Sequence, residues 1–77
     1  MFKVFIKQFL DNGKFIANTV LDDNFDTIAK AKEVGLIYKT SSLSKLEIKR
    51  YNSISEYEEY ENSEEDLVNP GILVYAD

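Results

Sequence analysis

Asn12-Gly13 lies between two runs that alternate apolar and polar residues, and this dipeptide limits the fold more than any other feature of the chain. Asn-Gly favours a two-residue type I′ loop, because both central residues of that turn need positive φ. Flanked by alternating runs, it predicts a β-hairpin with strands over Phe2–Leu10 and Phe15–Leu21. A two-residue loop sets Phe9 opposite Ile16, Phe5 opposite Val20, and Lys3 opposite Asp22 as a favourable ion pair. One face then carries Phe2, Val4, Ile6, Leu10, Phe15, Ala17 and Leu21, the expected core. The other carries Lys3, Phe5, Lys7, Phe9, Ile16, Asn18, Val20 and Asp22. Neither face is wholly polar, so the hairpin is expected to be covered on both sides, or to keep one side for a partner.

Asp22-Asp23-Asn24 offers N-caps for a helix over about Phe25–Val34, with Gly35 as its stop. Leu36–Thr40 and Leu46–Tyr51 read as two further strands, joined by the serine-rich Ser41–Lys45 loop. Ser53-Ile54-Ser55-Glu56 fits a capping box, so a second helix is expected from near Ile54, carrying Ile54, Tyr57 and Tyr60 at i, i+3, i+6 spacing with acids elsewhere. Asn69-Pro70-Gly71 breaks the chain, and Ile72–Ala76 reads as a strand buried on both faces. The expectation is a single α+β domain over residues 1–77 with a small mixed sheet. Its order is β-β-α-β-β-(α)-β, with one crossover helix packed on the sheet. A terminal hairpin, a crossover helix and a last apolar strand beside the first resemble a β-grasp arrangement in outline.

With no cysteine and no histidine among 77 residues, neither disulfides nor Cys/His zinc sites are open to this chain. Apolar burial must hold it, supplied by five Phe, five Tyr and the aliphatic residues. Asp22, Asn24, Asp26 and Glu33 fall at calcium-loop spacing, but Thr27 stands where such a loop needs glycine. Helix capping is the better reading, and neither a metal nor another cofactor is expected. The Ser41, Ser42, Ser44 and Lys45 cluster lacks a glycine-rich oxyanion turn, and the three glycines all lie at expected turns. The expectation is a protein that is not an enzyme.

The N-terminus, Met1-Phe2-Lys3-Val4-Phe5-Ile6-Lys7, alternates charge with apolar residues and lacks the apolar core of a signal peptide. No stretch is long and apolar enough to span a membrane. A soluble, cytoplasmic protein is expected. Lysine outnumbers arginine eight to one, a bias suited to an AT-rich bacterial or phage genome.

Charge is unevenly placed. Residues 1–50 hold all nine basic residues and six acids, whereas residues 51–77 hold eight acids and no base. Most of those acids fall in Glu56–Asp66, where Glu56, Glu58, Glu59, Glu61, Glu64, Glu65 and Asp66 surround Tyr57 and Tyr60. A run of like charges often only solvates a face. Tyrosines embedded among acids also suit an interface, because tyrosine gives contact area at low entropic cost and the acids steer a basic partner. These nine residues are the candidate partner-binding surface.

The expected function is a non-enzymatic protein-binding module whose partner is a protein with a basic surface. In its sharpest form it imitates nucleic acid to occupy a basic groove on a host protein. In this it resembles the small acidic α+β inhibitors of phage and mobile elements. Lys3-Phe5-Lys7-Phe9 could stack single-stranded bases, but the acidic chain argues against direct nucleic-acid binding. The alternative is a self-assembling subunit, a homo-oligomer built on the Phe5/Phe9/Ile16/Val20 face; monomer and homodimer are both open.

Overall fold

The computed structural model describes residues 1–39, 41–65 and 67–77. Four strands, β1 (Phe2–Phe9), β2 (Phe15–Val20), β3 (Ser44–Arg50) and β4 (Ile72–Ala76), form one sheet in the order β2-β1-β3-β4. Helix α1 (Ile28–Tyr38) connects β2 to β3, and helix α2 (Ile54–Glu61) connects β3 to β4. The α+β class and the crossover helix on the sheet are as the sequence predicts. Every strand pairing is antiparallel, however, so the sheet is not mixed. The last strand lies beside β3 and not beside β1, so the β-grasp outline is not met.

The hairpin keeps its expected register over most of its length by an unexpected route. Phe5 faces Val20 and Gln8 faces Ala17, but Phe9 faces Phe15. Among the described residues only Gly13 has positive φ, at 84°, so the I′ turn is not formed. Gly13 N–H donates to the Leu10 carbonyl (2.8 Å), and Leu10 N–H donates to the Lys14 carbonyl (2.8 Å). These bonds close a three-residue loop with glycine at its left-handed position. The Asn12 side chain accepts from Lys14 N–H at 3.0 Å, which suits it to the turn without positive φ. Ile16 is the extra residue that restores the register, a β-bulge. Phe15 therefore shares a face with Phe9, their rings edge-on at 5.8 Å. Together with Leu10 and Ile16 it is exposed at the hairpin tip rather than buried in the core.

Helix α1 starts later and runs further than its sequence suggests. Phe25 pairs with Phe2 through two backbone hydrogen bonds, which extends the sheet edge and excludes it from the helix. Thr27, not the Asp22-Asp23-Asn24 cluster, is the N-cap; its Oγ1 accepts from Lys30 N–H at 3.1 Å. Gly35 is not a stop but an interior helical residue pressed onto the sheet. A Cβ there would lie 2.7 Å from Leu46 Cδ1 and 3.1 Å from Val4 Cγ1. The helix thus continues through Leu36, Ile37 and Tyr38, which had read as strand; Thr40 lies outside the described residues.

The sheet is covered on both faces. On one, Val4, Ile6, Leu46 and Ile48 pack with Phe25 and with Ala31 of α1. On the other, Phe5 packs with Tyr51 and with Tyr57 of α2. Strand β4 does not have the two buried faces expected of it, since Ile72 and Leu73 are half exposed. Its end is clasped instead. Asp77 N–H donates to the Leu46 carbonyl (3.1 Å), its Oδ1 accepts from Leu46 N–H (2.7 Å), and its Oδ2 pairs with Lys39 Nζ.

Burial works to raise the Asp77 pKa, but hydrogen bonds from Lys39 and Leu46 and the charges of Lys39 and Lys45 outweigh it and hold the carboxyl below its ordinary value. A folded-state pKa below the unfolded one adds stability above the unfolded value, about 3.9 for Asp. That increment disappears as pH falls through the folded value. Asp77→Asn is expected to lower the urea midpoint at pH 6, with the difference from wild type shrinking steadily below about pH 4. A difference independent of pH would show that the clasp does not act through the carboxylate.

Candidate functional site

Helix α2 is the acidic segment's scaffold. Ser53 caps it as the sequence predicts, its Oγ accepting from Glu56 N–H at 3.2 Å. The Glu56 carboxylate takes the Asn52 amide (3.1 Å). Eight residues make too short a helix to persist in water alone, so tertiary anchoring decides whether it forms.

Tyr57 is that anchor. It is only 6% exposed and lies edge-on to Tyr51, with ring centroids 5.1 Å apart. Tyr51 Oη donates to Asn69 Oδ1 (2.7 Å), and the same oxygen accepts from Gly71 N–H (2.8 Å). Gly71 is required there, since a Cβ would meet the Tyr51 ring at 2.5 Å. The Asn69-Pro70-Gly71 break is thus bound to the aromatic cluster beneath α2. Lys3 lies under the helix as well. It is buried, its ammonium donates to the carbonyls of Leu21 (3.1 Å) and Asp22 (3.0 Å), and it sits 4.8 Å from the Tyr57 ring centroid. The expected Lys3–Asp22 pair therefore forms through a backbone carbonyl and not through the carboxylate.

Around this anchor the acids point outward. Glu58, Glu59 and Glu61 on α2, and Glu64 and Glu65 beyond it, are exposed, while Glu56 and Tyr60 are half-buried. Asp66 lies outside the described residues. No acid of α2 forms a salt bridge with a described basic residue; the ion pairs are Lys7–Glu47, Lys30–Glu33 and Lys39–Asp77. Glu56 with Glu59, and Glu58 with Glu61, stand three apart on the helix, where like charges repel. Glu58, Glu59 and Glu61 also lie in the C-terminal half, where the helix dipole disfavours anions.

Between α2, the following loop and the hairpin runs a cleft of about 400 Å³. Phe5 and Val20 of the sheet, Tyr57 and Tyr60 of the helix, and Glu61 and Glu65 line it, with Leu67 and Asn69 from the loop. Burial first, and then the Glu61 carboxylate as hydrogen-bond acceptor and neighbouring charge, push the Tyr57 pKa well up. The phenol thus stays protonated at neutral pH, one helical turn from Glu61. The sequence identified the helical members of this wall. It missed Phe5, Val20 and Asn69, because only the folding of the loop against the hairpin brings them there.

The remaining sequence candidates separate. Lys3 and Phe5 are covered by α2, and Lys7 is paired with Glu47 at 3.1 Å, so the Lys3-Phe5-Lys7-Phe9 stacking platform is not presented. The same cover removes Phe5 from the proposed self-assembly face; Phe9 and Val20 are half-buried, and of the four residues only Ile16 is exposed. The calcium-loop spacing does not gather its members, and among the described residues no group of three or more acids is placed to hold a metal. Ser44 is buried and Ser41 Oγ accepts from Leu43 N–H, so the serine cluster serves the turn before β3. No described helix is long and apolar enough to cross a membrane. Comparison with protein families, curated proteins and solved structures gives no significant match.

Unrelieved repulsion within α2 makes stability depend on salt. Raising NaCl from about 10 mM to 500 mM shortens the Debye length from about 30 Å to a few ångströms. The thermal midpoint is expected to rise by several degrees, and Glu58→Gln/Glu59→Gln is expected to reduce that rise. A midpoint that falls with salt would mean that attractive pairs dominate the surface.

Proposed function

We propose that this protein is a non-enzymatic binding module that presents the α2 pole to a basic surface on another protein. The observation that carries the reading is the unpaired set of carboxylates in the C-terminal half of α2. A face needing only solubility tolerates lysines among its acids, and such mixing stabilises a helix by about 0.2–0.5 kcal/mol per favourable pair. Here the opposite arrangement is kept, with all nine basic residues elsewhere in the chain. A basic partner removes both the repulsion and the unfavourable dipole interaction on binding.

The sharper reading is imitation of nucleic acid, as an inhibitor of a host nucleic-acid-binding protein. Four carboxylates from Glu56 to Glu61 fall within five residue steps. At 1.5 Å of rise per residue they supply one charge per about 2.5 Å of helix axis. DNA carries one per about 3.4 Å along one strand and about 1.7 Å along the duplex. That spacing lies between the two DNA values, which supports the reading.

The test is affinity capture on the immobilised protein, followed by elution in a salt gradient and by competition with duplex DNA. Captured proteins are expected to be enriched in basic nucleic-acid binders, to leave at moderate salt, and to be displaced by DNA. Glu58→Lys/Glu59→Lys is expected to reduce their recovery at least about tenfold, because each close charge contact at such interfaces is worth a kcal/mol or more. Capture insensitive to salt, DNA and charge reversal would contradict the reading.

A further inference from the structure

We infer that the outer edge of β2 is a docking site for an extended basic segment of the partner, which adds to the sheet as a fifth strand beside the acidic end of α2. The inference rests on the reading of α2 as a binding pole and names the form in which the basic partner meets it. Backbone groups of the edge strand carry it, not the acids. Leu21 N–H donates to the Val4 carbonyl at 3.0 Å, and Thr19 and Ala17 follow in register opposite Ile6 and Gln8. Hydrogen-bonded residues alternate along an antiparallel ladder. Ala17, Thr19 and Leu21 therefore turn their N–H and C=O groups to β1, whereas Asn18 and Val20 turn theirs outward. No described residue bonds to those outward groups.

Edge strands are commonly blunted by charges, proline or a bulge, since open donors and acceptors template further pairing. The bulge at Ile16 protects only the hairpin tip; residues 17–21 beyond it are regular, uncharged and free of proline. Strand β4, the other edge, is interrupted by a register shift between Leu73 and Tyr75. Charge decides what occupies the open edge. Asn18 and Val20 line the cleft that also holds Glu61 and Glu65, and no basic residue lines it. An incoming strand places its side chains at i and i+2 on that face, opposite Asn18 and Val20, so cations at alternate positions meet the carboxylates. A second copy fits poorly. Joining two β2 edges sets the two-fold axis normal to the sheet and brings both acidic poles side by side on one face, where they repel. Strand addition takes its affinity from main-chain hydrogen bonds and its specificity from alternate side chains.

The test is an NMR titration of the labelled full chain at low salt with acetyl-Thr-Lys-Val-Lys-Thr-amide and two N-methylated forms of the same charge. Antiparallel pairing turns the lysine N–H groups to β2 and the valine N–H to solvent. Methylating both lysine nitrogens is expected to weaken binding at least about tenfold, for the two hydrogen bonds lost, whereas methylating the valine nitrogen changes it less than about twofold. The Asn18 and Val20 amides are expected to shift downfield and to exchange more slowly in the complex. Glu61→Gln/Glu65→Gln should weaken the parent peptide about threefold, with the amide spectrum of the variant verifying that the fold is kept. Equal binding of the lysine-methylated peptide, with shifts confined to Glu56, Glu58 and Glu59, would overturn strand addition and leave the acidic pole standing. Shifts of Asn18 and Val20 that grow with protein concentration alone would overturn it by giving the edge to a second copy. Failure of the parent peptide to bind would overturn it also. In that case, capture of basic proteins in the affinity experiment above decides separately whether the pole itself binds.

Discussion

The Lys3–Ile6 stretch of strand β1 is buried from both sides, and the rest of the molecule is arranged to make that possible. Val4 and Ile6 face α1, whereas Lys3 and Phe5 face α2. A chain with no cysteine or histidine has no staple available, so its 77 residues depend on using both faces of one sheet. Each face imposes its own local demand. Against Val4 and Leu46 the helix comes so close that a Cβ at Gly35 would force the Leu46 side chain to shift. Under α2 a lysine ammonium is buried, and carbonyl oxygens and the face of Tyr57 replace its water.

The acidic pole follows from this arrangement. Burying an aromatic ring stabilises by about 2–3 kcal/mol, whereas like-charge pairs and the dipole cost α2 about 1 kcal/mol. Tyr57 therefore holds an electrostatically unfavourable helix on the sheet, and the acids remain free to face outward. Because the helix ends beside the hairpin, the Asn69–Gly71 return fastens to Tyr51 and leaves a cleft between loop and sheet. Anchor and cleft thus both depend on the aromatic packing beneath α2.

Much of this was legible in the sequence, for identifiable reasons. The Ser53 cap was readable because a capping box is local, and the Phe5–Val20 register because alternation fixes it. Failures came where a residue's meaning depended on distant neighbours. Gly35 reads as a helix stop in sequence and as a close approach in space. Leu36, Ile37 and Tyr38 form an apolar run that fits a strand by composition, yet they continue a helix already nucleated at Thr27. Ile16 shows a compensating error, since the loop is one residue longer than expected and the bulge returns the register. In the site, the acids and both tyrosines were visible as a pattern. That Tyr57 faces inward to anchor the helix, and that Phe5 and Val20 complete a cleft, required the tertiary fold.

Tyr57, the one buried residue of α2, is the main contact that fastens this helix to a sheet that otherwise stands on its α1 face. Native-state hydrogen exchange of wild type and Tyr57→Ala measures this directly, since large-to-alanine changes at buried aromatics cost about 3–5 kcal/mol. The account predicts that amides of residues 54–61 lose their protection in the variant, while those of β1, β3 and α1 keep most of theirs. Retained protection in α2, or an equal loss over the whole chain, would contradict it.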